Sequence, residues 1–274
     1  MGNIGDMTIV KKDCSPKIGF ILSLFIVILT FGCSAQRDDT LFQVSTINAL
    51  MNGDYDGSAT LYELNQNGDF GIGTFDSLDG EMLYLDGVCY QLKADGSVCK
   101  PVQSTRTPFA AVTFFEIDKN IPIQDSLDLE QMVKFLDASL ESQNIPYAVK
   151  IEGEFSYVKT RSVPRHKKPY RKLLEVIKTQ SVCELRNIRG TLVGFRMPAY
   201  MEGPNVAGYH FHFITADKKS GGHLLQCTLR HGKAEIDDVK RFYIRLPQSK
   251  DFYAIDLSLK DKDIDKVEAN PGGD

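Results

Sequence analysis

The 274-residue sequence has no basic excess: its formal net charge is −4. It therefore lacks the electrostatic footprint that a nucleic-acid-binding surface needs, and no nucleic-acid partner is expected. It has no apolar run of the roughly 20 residues that a helix needs to cross a bilayer core. Its six cysteines include no Cys-x-x-Cys pair, which excludes a zinc ribbon or a thioredoxin-like redox motif. No repeat recurs at a fixed period. Neither GPNVAG nor GIGT sits in a strand–glycine loop–helix pattern, so neither is a phosphate cradle. Histidine is scarce, at five residues, yet three of the five fall within GYHFHFITADKKSGGHLL, residues 208–225.

The amino terminus is a separate object. Lys11, Lys12 and Lys17 precede an uncharged run over residues 18–32, and small residues follow it. A basic flank, a short apolar region and small residues after it make a secretory signal. Residues 1–33 read as that signal, with Cys33 in TFGCSAQ as the lipidated first residue of a lipoprotein, although Thr30 stands where such sites usually carry leucine. Cleavage after Ala35 and an uncleaved anchor are the rival readings. Residues 34–40 read as a tether, 41–260 as the folded domain and 261–274 as a polar tail. The expected location is outside the cytoplasm, anchored to a bacterial membrane through Cys33; secretion is the alternative.

Along the domain, residues 41–53 predict a short helix ending at Asn52-Gly53, and GSATLYEL alternates as a strand does. NQNGDFGIGTFDSLDGE, rich in glycine and aspartate, predicts loop. Asp86-Gly87 and Asp95-Gly96 each predict a hairpin turn in which both central residues take positive φ. Residues 107–117 read as a buried strand and 147–163 as a second strand. Residues 126–142 form the clearest helix, capped by Ser126, with Leu129, Met132, Val133, Leu136 and Leu140 on one stripe. Residues 167–180 read as a helix with proline in its first turn, and strands fill the remainder, including DFYAIDLSL. Hairpin-linked strands with occasional helices predict an α+β fold of mixed and antiparallel sheets, a few flanking helices and two lobes packed as one unit. Cys89 and Cys99 flank a hairpin and could pair in an oxidising compartment; free thiols are the plainer reading.

Side chains on a strand alternate faces, so His210 and His212 point the same way and Phe211 and Phe213 the other. Pairing the strands about Asp217-Lys218 sets His212 opposite His223, with Cβ atoms about 5 Å apart. Three imidazoles on one face suit Zn²⁺ with a fourth position open. His166 and His231 have no such company and read as surface residues. The sequence lacks the Asp-His that follows His-x-His in metallo-β-lactamase-type sites and the glutamate that follows it in cupins. The other motifs of an α-type carbonic anhydrase are not apparent.

Three long stretches resemble one family. Residues 190–225, residues 70–92 (FGIGTFDSLDGEMLYLDGVCYQL) and residues 153–164 (GEFSYVKTRSVP) look like α-acetolactate decarboxylases, and the resemblance spans roughly residues 41–260. It implies one Zn²⁺ per chain on His210, His212 and His223, which the hairpin register gives independently, and no organic cofactor. It also implies an active-site arginine at Arg161 and a glutamate at Glu81, with Thr74 nearby as a substrate contact. Glu268 in KVEAN is the counterpart of a second glutamate near the family's carboxy terminus. A homodimer is implied too. Many relatives are cytoplasmic, which sets a third location beside the two above.

The implied reaction turns (S)-2-acetolactate into (R)-acetoin and CO₂ within acetoin and butanediol formation. The electrons left by CO₂ pass into the substrate's own ketone, and zinc as a Lewis acid would stabilise that charge. Arg161 can hold the carboxylate bidentately, as lysine cannot. Arg161, Glu81 and Glu268 all remain candidates for delivering the proton. Two other readings use the same residues: a zinc-hydroxide hydratase or hydrolase, and a non-catalytic metal- or ligand-binding lipoprotein. If Cys33 carries lipid, labelled palmitate enters the full chain and Cys33→Ser abolishes both the label and membrane fractionation; unchanged membrane association in the variant overturns the anchor.

Overall fold

A computed structural model describes residues 1–2 and 39–257. Cys33, the signal region and the tail with Glu268 lie outside the described residues. The domain opens with β1 (Thr40–Val44), not with a helix: Thr40 already pairs with Arg241, and the helix α1 is confined to Ile47–Met51 behind a Thr46 cap. Strand β2 (Ala59–Thr60) stops where helix α2 (Leu61–Asn65) begins, because Thr60 and Glu63 form a reciprocal capping box. That box overrides the alternation in GSATLYEL.

The stretch expected to be loop contains a buried strand, β3 (Phe70–Thr74). Its glycines serve close approach: a Cβ at Gly73 would fall 2.4 Å from the Phe109 carbonyl oxygen. Strands β4 (Glu81–Leu85) and β5 (Val88–Leu92) flank the Asp86-Gly87 turn, whose φ values are +52° and +74° as expected. At the next turn, leading to β6 (Val98–Cys99), only Gly96 has positive φ. The short β7 (Arg106–Thr107) pairs with β2, and the expected strand at 107–117 is only β8 (Ala110–Thr113).

Next come β9 (Lys119–Ile123) and β10 (Leu127–Asp128). Helix α3 (Leu129–Asp137) is capped by Asp128 in a box with Gln131, not by Ser126, and it buries Met132 and Leu136. Strand β11 (Tyr147–Ser162) is followed by α4 (Leu173–Val176), so the helix expected over 167–180 begins six residues late. The long strands β12 (Ser181–Met197), β13 (Gly208–Thr215) and β14 (Gly221–Asp238) come next. Strand β15 (Arg241–Arg245) precedes α5 (Lys250–Ala254), a helix where DFYAIDLSL had suggested a strand; Ser249 caps it through the Phe252 N–H.

The result is an α+β fold dominated by strands. One sheet runs β15-β1-β8-β3-β4-β5-β6, parallel only between β1 and β15. The other runs β10-β14-β11-β12-β13, with β9 on β14 and a second β13–β14 pairing. The two sheets bury a shared layer: Phe70, Ile72 and Leu83 from the first meet Val193, Phe195 and Ile214 from the second. Helix α3 covers the far side of the second sheet over Phe155 and Phe213, and α2 covers the far side of the first. All four cysteines among the described residues are free. Cys89 and Cys227 are buried, and burial raises both thiols, that of Cys227 to about 12. Among the described residues, no helix is long and apolar enough to cross a membrane.

The close contact of β12 with β13 rests on Gly194, where a Cβ would fall 2.0 Å from the His210 carbonyl oxygen. Gly194→Ala must therefore push β13 away from β12 at the histidine pair. We expect a loss of about 3 kcal/mol, seen as a melting temperature lower by roughly 6–12 °C in circular dichroism. A variant that melts with the parent would show that the two strands have slack here.

Candidate active site

The histidines converge as the hairpin register requires. His212 pairs directly with His223 across β13 and β14, and β12 carries β13 on its other side with Phe195 opposite His210. All three imidazoles are buried, and each offers a nitrogen within 4.8 Å of the others. His210 Nε2 lies 3.1 Å from His223 Nδ1. The Nδ1 of His212 is 2.7 Å from the Met82 carbonyl oxygen on β4, so Nδ1–H donates there and Nε2 keeps its lone pair. This is how a ring is oriented for a metal: the hydrogen bond at one nitrogen fixes the tautomer at the other.

Burial, with Arg161's charge second, pushes His210 down to about 3. His212 lies well below its ordinary range through burial first and His210 second, against the Met82 hydrogen bond. Both rings are thus neutral at pH 7, the form that binds a cation. Three buried imidazoles, one with an oriented Nε2, fit a divalent metal.

Arg161 stands beside them because β11 pairs with β14 so that Arg161 faces His223. Its side chain is buried; among the described residues Nε has no hydrogen-bond partner and Nη1 donates to Gln180 Oε1 at 3.5 Å. A buried guanidinium that forms no ion pair among the described residues is costly, and such a group suits an anion bound beside it. Glu81 opens β4, and its Oε2 is 3.7 Å from His212 Nε2. Thr74, its backbone partner on β3, donates its hydroxyl to the Gly80 carbonyl at 2.8 Å.

These residues line one pocket of about 470 Å³, its open mouth included. Its other walls are apolar: Ile47 and Leu50 from α1, Leu173 from α4, and Leu78, Phe109 and Val163. Ser77 and Leu78 both take positive φ, +63° and +56°, on the loop between Thr74 and Glu81. Hydrogen bonds from Ser77 N–H to Tyr55 O and from His166 N–H to Ser77 O hold that loop.

Six expected residues therefore come together: Thr74, Glu81, Arg161, His210, His212 and His223. Cys33 and Glu268 lie outside the described residues. His231 is exposed beside Glu154, His166 turns Nδ1 to the Pro164 carbonyl, and neither lines the pocket. The Met82 carbonyl, Gln180 and the apolar wall were not foreseen. Only the wall had a sequence signal, in the apolar residues of 41–53 and 173–177.

Fold and site together define a strand-dominated α+β protein in which three buried histidines that could hold a metal ion share one small pocket with a buried arginine. The family model described as alpha-acetolactate decarboxylase matches residues 41–259, and the chain belongs to that family. It is 49% identical over 236 residues to the alpha-acetolactate decarboxylase of Methanosarcina mazei, covering 86% of this chain and 82% of that protein. It is 40% identical over 248 residues to that of Bacillus subtilis strain 168, covering 90% and 97%. The crystal structure of alpha-acetolactate decarboxylase from that strain superposes with a TM-score of 0.83, covering 84% of this chain and all of that one.

Removing one imidazole should empty the site without unfolding the sheets. His212→Ala is expected to lower bound metal at least about tenfold by elemental analysis, while Arg161→Ala keeps it. Equal metal content in parent and His212→Ala protein would place the metal elsewhere.

Proposed function

We propose that this chain is a zinc-dependent decarboxylase that converts (S)-2-acetolactate to (R)-acetoin and CO₂. The observation that carries the reading is the buried Arg161 guanidinium, with no ion pair among the described residues, beside three buried histidines in one small pocket, in a chain of this family. When bound by His210, His212 and His223, zinc supplies Lewis acidity toward the substrate's oxygens.

Arg161 donates from Nε and an Nη to the carboxylate and fixes the C–C bond that breaks. That bond's electron pair passes into the ketone, leaving an enediolate and free CO₂. A guanidinium has five donors and no proton it gives up readily, so orientation is its task. In this reading the Glu81 carboxyl, 3.7 Å from His212 Nε2, delivers a proton to one face of the carbon that lost CO₂. The Thr74 hydroxyl, already donating to Gly80, keeps lone pairs that can accept from the substrate hydroxyl. Ile47, Leu50, Leu78 and Leu173 take up the methyl groups and exclude water, which strengthens every charge interaction inside.

The test is acetoin formation from racemic acetolactate by the full chain, before and after chelation, with products separated on a chiral column. A single enantiomer, lost with chelator and restored by zinc, is the expected result. A folded, zinc-loaded protein that leaves acetolactate to its spontaneous rate would move the weight to a hydratase or a binding protein. Glu81→Gln is expected to lower kcat by about 10²–10⁴-fold with metal retained.

A further inference from the structure

Arg161 has one protein partner for its guanidinium, and that partner is uncharged. Gln180 sits at the junction between the 3₁₀ turn Ile177–Thr179 and β12. In the β11–β12 ladder Arg161 faces Val182 and Ser162 faces Ser181, so Gln180 falls on Arg161's diagonal, where residues share a face and long side chains meet. Its own N–H is fixed by the Ile177 carbonyl at 3.1 Å. Its Oε1 receives Nη1 at 3.5 Å, Nε is left without a partner, and Arg161 forms no ion pair among the described residues. His223 flanks the arginine on β14, and Gln180 flanks it on the other side, just before β12 begins.

We propose that Gln180 is a positioning residue: it holds one corner of the Arg161 guanidinium by an acceptor that carries no charge. Its neutrality leaves the full positive charge for a substrate carboxylate. A glutamate here would offer the same acceptor and neutralise the arginine, and an apolar side chain would leave the guanidinium free to swing. The proposal rests on Arg161 as the carboxylate anchor.

The test compares Gln180→Glu and Gln180→Met in the full-length, metal-loaded chain. Three readouts are used: KM and kcat with acetolactate, the inhibition constant of 2-hydroxyisobutyrate and that of acetoin. The first inhibitor carries a carboxylate and the second does not. Gln180→Glu is expected to raise KM and the 2-hydroxyisobutyrate constant at least about tenfold and to leave the acetoin constant within about twofold. Gln180→Met is expected to lower kcat several-fold with a smaller change in carboxylate affinity. Equal weakening of both inhibitors by Gln180→Glu would mark a general structural effect and overturn the proposal, as would no change in either. Arg161→Ala separates the two layers. If it leaves 2-hydroxyisobutyrate binding intact, the reading of Arg161 fails. If it abolishes that binding while Gln180→Glu is silent, only the role of Gln180 fails. Metal content and melting temperature of each variant show that the site was intact when assayed.

Discussion

The pairing register of β13 with β14 is the constraint on which the site depends. It sets His212 against His223, puts His210 on the same face, and brings Arg161 alongside through β11. A slip of β13 by one residue would turn His210 and His212 to the face opposite His223. The structure makes that slip expensive from both sides. Phe211 and Phe213 are buried in the cluster under α3, and the histidine face is closed by the first sheet. Both faces of β13 are thus specified, one by apolar packing and one by the site itself.

The first sheet contributes more than a cover. Met82 lends a carbonyl to His212, Glu81 lies next to the same ring, and Thr74 is Glu81's partner across β3 and β4. The three histidines therefore come from one sheet, and Thr74 and Glu81 from the other. The buried surroundings that keep His210 and His212 neutral also leave the Arg161 charge weakly screened, so one environment suits both a cation at the histidines and an anion at the arginine.

The hairpin and its three histidines were legible because strand alternation and a symmetric turn are local rules. The central β3 was not. Gly71 and Gly73 read as loop residues, yet they are needed where neighbouring backbone comes too close for a side chain. Residues 40–44 were misread because the partner that makes them a strand, β15, lies about 200 residues away. In the other direction, the Thr60–Glu63 capping box and the Ser249 cap are short motifs that outweighed strand-like alternation at α2 and α5. Thr74, Glu81 and Arg161 gained meaning only from long matching context, since each alone is an ordinary surface residue type. Gln180 and the Met82 carbonyl had no signal at all: their roles come from a diagonal neighbour and from a contact across two sheets.

The apolar wall is built differently from the reacting groups. Ile47, Leu50 and Leu173 stand on two short helical segments, while the histidines and charged groups of the pocket stand on paired strands of the two sheets. Substitutions in the wall can reshape the cavity without touching the strand register that spaces the imidazoles. The fold thus separates what the protein does to a bond from which molecules carrying that bond it admits, and the second can drift across generations while the first stays fixed.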